Sequence, residues 1–99
     1  MKRACVIGWP IEQSRSPLIH NYWLKKYNIN ALYEKKPVEP KEVSRFIANL
    51  ATSEFVGCNV TVPHKETVFL VVQKVDAIAA RLAAVNTVYI RGGMVCGKL

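Results

Sequence analysis

Long apolar runs are missing from this 99-residue chain. The longest, Val68 to Val72, falls far short of the ~20 residues that a membrane-spanning helix requires. The start, Met-Lys-Arg-Ala-Cys-Val-Ile-Gly, has the basic opening of a secretory signal, but its apolar stretch stops at Trp9-Pro10. Cysteine is scarce: Cys5, Cys58 and Cys96 are far apart, with no C-x-x-C pair. An odd, dispersed set argues against a disulfide framework and against structural zinc, and suits buried small hydrophobes instead. No G-x-G-x-x-G occurs, so no pyrophosphate fingerprint is present. Acids are few, seven against fourteen Lys and Arg, for a net charge of +7. Such a balance can serve nucleic acid, an anionic membrane surface or a small anion. The basic residues are scattered, however, and only Lys2-Arg3, Lys25-Lys26 and Lys35-Lys36 are adjacent. Without a basic stripe interleaved with aromatics, the charge reads as solvated surface. The expectations are no nucleic acid, no membrane and a reduced, cytoplasmic location.

What is present is ordinary globular composition, 51% hydrophobic and 21% charged, sufficient for one domain over residues 1–99. A domain this small buries only about 60–65% of its unfolded surface, so its stability margin is thin. Ala4 to Ile7, closed by Gly8, reads as a buried strand. Pro17 suits a helix start with Ser16 as cap, and Leu18, Ile19, Tyr22, Trp23 and Tyr27 continue at helical spacing to about Lys26. Ala31 to Pro37 is a second strand with a wet edge or face. Pro40 opens a helix whose stripe is Val43, Phe46, Ile47 and Leu50, and Phe55 to Val60 is a third strand. His64 to Lys74 reads as a largely buried helix, and Asp76 caps a short one through about Ala83. Thr87 to Arg91 and Met94 to Cys96 flank Gly92-Gly93, a hairpin signature. The fold class is therefore α/β: a three-layer sandwich with a mostly parallel sheet, helices on both faces and a C-terminal antiparallel hairpin.

In such sheets ligands bind beyond the carboxyl ends of the strands, and three polar clusters fall there. Ser14 and Ser16 stand before the first helix, where two hydroxyls and free helix N–H groups can face one anion. A plain cap and a solvated serine fit the same letters. Lys65 stands at a helix start, where the dipole disfavours positive charge, so either a ligand wants it there or its head escapes to water. His64 beside it reads as a structural or surface histidine. Asn59, Thr61 and Asn86 can hold the hydroxyls of a polyol, or bond nearby backbone.

The clusters in order carry a resemblance. Gly8-Trp9-Pro10-Ile11 through Ser14-Arg15-Ser16-Pro17 to His20-Asn21 resembles the opening signature of shikimate dehydrogenases, G-x-P-I-x-x-S-x-S-P-x-x-H-N. Gly57 to Glu66 is similar to their G-x-N-V-T-x-P-x-K-E, and Ala84-Val85-Asn86-Thr87 to the end of their G-A-V-N-T. The resemblance implies the reduction of 3-dehydroshikimate to shikimate with NADPH, in aromatic amino-acid synthesis. It implies that Ser14 and Ser16 hold the substrate carboxylate and that Asn59, Thr61 and Asn86 orient ring oxygens. It also implies that Lys65 is catalytic, standing at the oxygen of the reacting carbon.

Two departures stand out. Ala83 occupies the usual glycine of the third signature; if the backbone there needs positive φ, alanine strains it by roughly 1 kcal/mol. The chain also stops before the N-T-D segment and the glycine-rich NADP-binding domain with which the family continues. The expectation is a substrate-binding domain that binds no NADP and turns over nothing alone, its partners being shikimate or 3-dehydroshikimate and a separate NADP-binding domain. A non-catalytic shikimate- or quinate-binding module, an inert remnant, and a homo-oligomer formed through an uncovered face are the other readings.

Overall fold

A computed structural model describes residues 2–11, 16–28 and 30–99; the side chains of Ser16, Pro17 and Trp23 are outside that description. The elements run β1 (Lys2–Gly8), α1 (Ser16–Lys26), β2 (Ala31–Pro37), α2 (Val43–Ala48), β3 (Phe55–Val60), α3 (Lys65–Val71), β4 (Lys74–Val75), α4 (Ala77–Leu82), β5 (Thr87–Arg91) and β6 (Met94–Lys98). The six strands form one sheet in the order β2-β1-β3-β5-β6-β4. β1 runs parallel to β2 and β3, β4 runs parallel to β6, and β5 is antiparallel to both its neighbours. The mostly parallel sheet and terminal hairpin are as the sequence predicts.

Alternation along β1 sorts the two faces. Cys5 and Ile7 point into the main core, where Val43 and Ile47 of α2, Val68 of α3, Ala79 of α4 and Val88 of β5 meet them. Val6 faces the other way, with Ile11, Tyr33 and the half-buried Leu24 of α1. Helices therefore cover both faces, and all three cysteines are free and buried. The hairpin turn has φ of 59° at Gly92 and 78° at Gly93, the double positive pair that only glycine adopts without strain. Asp76 caps α4 as expected, its Oδ1 accepting from the Ala79 N–H at 2.9 Å.

Three expectations need correction. The helix predicted over His64 to Lys74 is shorter and less buried: α3 ends at Val71, only Val68 in it is buried, and Leu70 is 80% exposed. Phe69 and Val71 also pack against the core but stay half-buried, because only one stripe of an amphipathic helix faces inward and an apolar run overstates burial. The chain after it extends instead, and Lys74–Val75 pairs with β6 as an edge strand that the sequence reading missed. The helix after Pro40 is broken, with 3-10 turns at Pro40–Glu42 and Leu50–Thr52 on either side of α2, although Val43, Ile47 and Leu50 are buried as predicted. On α1 the apolar spacing does not mark the buried side. Leu18, Ile19, Tyr22 and Tyr27 are exposed, while the side facing the sheet carries Leu24 and the amide of Asn21.

Candidate functional site

β1 and β3 are parallel neighbours, so their carboxyl ends, Gly8 and Val60, lie on one side of the sheet. β5 runs the other way and begins where β3 ends, with Thr87 opposite Asn59. That reversal brings together residues remote in sequence. Backbone bonds lock the junction: Val60 N–H to the Asn86 carbonyl at 2.8 Å, Thr61 N–H to the Ile7 carbonyl at 3.0 Å, and Val85 N–H to the Lys65 carbonyl at 3.1 Å. The last of these ties the first residue of α3 to the segment leading into β5.

The result is a cavity of about 580 Å³ walled by Asn59, Thr61, Lys65, Asn86 and Thr87, with Val6 and Ile11 as apolar lining. Four of the six residues singled out from the sequence thus share one concavity. Ser14 lies outside the described residues, and Ser16 is the first residue of α1, its side chain outside them too. Among the described residues no carboxylate lines the cavity. Among them, too, the Lys65 ammonium makes no ion pair and no hydrogen bond. A helix start offers it no electrostatic reward either. One uncompensated cation among amides and hydroxyls suits a small, oxygen-rich anion.

A directed hydrogen-bond chain crosses this wall. The Tyr33 hydroxyl donates to Asn59 Oδ1 at 2.7 Å. Asn59 Nδ2 donates to Thr87 Oγ1 at 3.2 Å, with the Asn86 carbonyl at 3.4 Å. Thr87 Oγ1 in turn donates to Asn86 Oδ1 at 3.1 Å. Sequence reasoning missed both Thr87 and Tyr33. Thr87 adjoins Asn86 in its motif, so proximity alone could have flagged it. A lone aromatic in a strand gives no such signal, because its usual role is packing.

His64 is structural, as read. It is 1% exposed, and its Nε2 lies 2.6 Å from the Val38 carbonyl. A carbonyl only accepts, so Nε2 carries the proton. The ring thereby anchors the β3–α3 turn, which sets Lys65, to the segment after β2. A larger concavity, about 700 Å³, lies against Trp9, Val38, Phe46 and Phe55. Charges of both signs rim it, and Arg45 there pairs with Glu42 at 3.3 Å. It gathers none of the six residues singled out from the sequence, so size does not mark the chemistry. Among the described residues no group of His, Cys, Asp and Glu could hold a metal ion, and no helix is long and apolar enough to cross a membrane.

Residues 6–88 match the family model described as the shikimate dehydrogenase substrate binding domain. Shikimate dehydrogenase (NADP(+)) of Methylocella silvestris is 48% identical over 95 residues, which are 96% of this chain and 34% of that protein. The Brucella canis protein of the same name is 45% identical over 96 residues, 97% of this chain and 33% of its own length. The structure of shikimate 5-dehydrogenase from Thermus thermophilus in complex with NADP(H) and shikimate superposes with a TM-score of 0.92 at 30% identity, over 99% of this chain and 37% of that one. The chain spans about a third of the length of the curated relatives it matches.

Proposed function

The chain belongs to the family of shikimate dehydrogenase substrate-binding domains, and on that premise we propose that its cavity grips shikimate or 3-dehydroshikimate for the interconversion of the two. The observation that supports this is the meeting of Asn59, Thr61, Lys65 and Asn86, from two separate signatures, around one concavity with no carboxylate among its described lining residues. In this reading the hydroxyls of Ser14 and of Ser16, the first residue of α1, take the ligand carboxylate. Asn59, Thr61 and Asn86 take ring oxygens. Lys65 faces the oxygen of the reacting carbon, stabilises negative charge as it develops there and supplies the proton. Arginine could not do this, since its guanidinium does not give up a proton.

NADP would supply the hydride when bound. The five glycines, Gly8, Gly57, Gly92, Gly93 and Gly97, form no pyrophosphate-cradling spacing, and these residues do not fit the cofactor. The reading therefore assigns NADP to a dinucleotide-binding domain working with this one. We place the chain in the cytoplasm, where its three buried thiols stay reduced.

Titration calorimetry of the chain with shikimate tests the proposal: saturable heat with a Kd below about 1 mM is expected, and a flat titration at millimolar shikimate refutes it. In a form joined to an NADP-binding domain, Lys65→Ala should depress kcat far more than it raises KM. Equal losses would reduce Lys65 to a binding residue.

A further inference from the structure

We propose that Tyr33 is a positioning residue, whose hydroxyl fixes the hydrogen-bond polarity of the cavity wall so that Asn86, at the end of the line, meets the ligand with N–H donors. The inference rests on the shikimate reading above and adds a residue that none of the three signatures contains.

An asparagine amide has two ends of nearly equal shape, and its partners decide which way it turns. The Tyr33 phenol donates to Asn59 Oδ1 at 2.7 Å, and the Asn86 carbonyl, which only accepts, lies 3.4 Å from Nδ2; together they hold the Oδ1 end as the acceptor. The Nδ2 end is thereby turned to Thr87 Oγ1 and the Asn86 carbonyl, on the cavity side. Thr87 Oγ1, accepting from Asn59, has its own proton left for Asn86 Oδ1. The polarity passes down the line, and Asn86 Nδ2 ends it with no partner among the described residues. With the Lys65 ammonium beside it, the wall offers donors, which suits the lone pairs of a carbonyl or hydroxyl ligand.

Tyr33 is braced for such a task. It lies on the edge strand β2, where its outward backbone groups would otherwise face no strand. The side chain of Asn21 closes both, its Nδ2 donating to the Tyr33 carbonyl at 2.7 Å and its Oδ1 accepting from the Tyr33 N–H at 2.9 Å. The ring of His20 stacks on the phenol at 4.3 Å and 11°. His20 and Asn21, the last two letters of the opening signature, thus hold the tyrosine that orients the asparagine of the second signature. The phenol is 5% exposed, and its ring spans Val6 to reach Asn59 from the edge of the sheet.

A purely structural tyrosine and a positioning one differ in a binding cycle. Shikimate titrations of the parent chain, Tyr33→Phe, Asn59→Ala and the double variant are compared by calorimetry. Tyr33→Phe should weaken binding by about five- to tenfold, and should cost nothing further once Asn59 is alanine. The Asn59 and Asn86 side-chain amide signals in the ligand-free chain should both move on Tyr33→Phe. An unchanged Kd in Tyr33→Phe, an equal loss with and without Asn59, or an Asn86 amide that stays put overturns the inference and leaves the shikimate reading intact. A parent chain that binds no shikimate refutes that reading, and this one with it.

Discussion

Ala83 is the residue at which this chain carries a measurable flaw. It follows the last turn of α4 with φ 51° and ψ 43°, the left-handed conformation. The Ala84 N–H reaches back to the Ala79 carbonyl at 3.3 Å, the six-to-one bond of a helix end that normally uses glycine. An alanine held there costs about 1–2 kcal/mol against a right-handed one, because Cβ crowds the following carbonyl. Ala83→Gly removes that crowding but returns about 0.4–1 kcal/mol through the freer unfolded chain. Its Cβ is exposed, so no buried contact is lost. The net gain is about 0.5–1 kcal/mol, which for a domain this size raises Tm by about 2–8 °C. Thermal unfolding followed by circular dichroism reads this directly. Ala83→Val should move the other way, since a β-branched residue tolerates left-handed φ least. A glycine variant that melts no higher than the parent, beside a valine variant that melts no lower, would refute the reasoning.

Two further outcomes are expected. A Cβ added at Gly57 would lie 2.6 Å from the Val88 carbonyl oxygen across the β3–β5 ladder; Gly57→Ala should cost about 1–3 kcal/mol, seen as a lower urea midpoint at unchanged slope, and a midpoint equal to the parent's would disprove the contact. The Cys58 thiol is pushed far above its ordinary range by its hydrogen bond with Cys5 and then by burial. Because the folded pKa is raised, this contribution is intact below the unfolded thiol's value of about 8.5. Above it, the unfolded chain alone loses the proton, and stability falls by at most about 1.4 kcal/mol per pH unit. Cys58→Ala should therefore lose less stability than the parent between about pH 8 and 10; parallel pH curves would count against it.

Some of the molecule is legible letter by letter. The Gly92-Gly93 turn, the Asp76 cap and the bounds of β2 and β3 follow from chemistry confined to a few neighbouring residues. The strain at Ala83 is visible only through the resemblance, as an alanine at the glycine of the third signature, and the φ of 51° bears it out. The motif residues named four of the polar groups that line the cavity, because asparagine, threonine and lysine at strand ends stand out against an apolar background.

Tertiary structure alone decided what those groups do to one another. Asn59 and Asn86 meet only because β5 reverses beside β3, and strand order is set by packing across the whole sheet. The same holds for His64, buried by a carbonyl from the far side of β2, and for Tyr33, which looks like a packing residue until its hydroxyl is seen on Asn59. Periodicity misplaced the buried side of α1 and overstated the burial of α3, since an apolar side chain does not say which neighbour covers it. Local interactions reach a few positions along the chain. A hydrogen bond between residues 26 apart is a property of the fold.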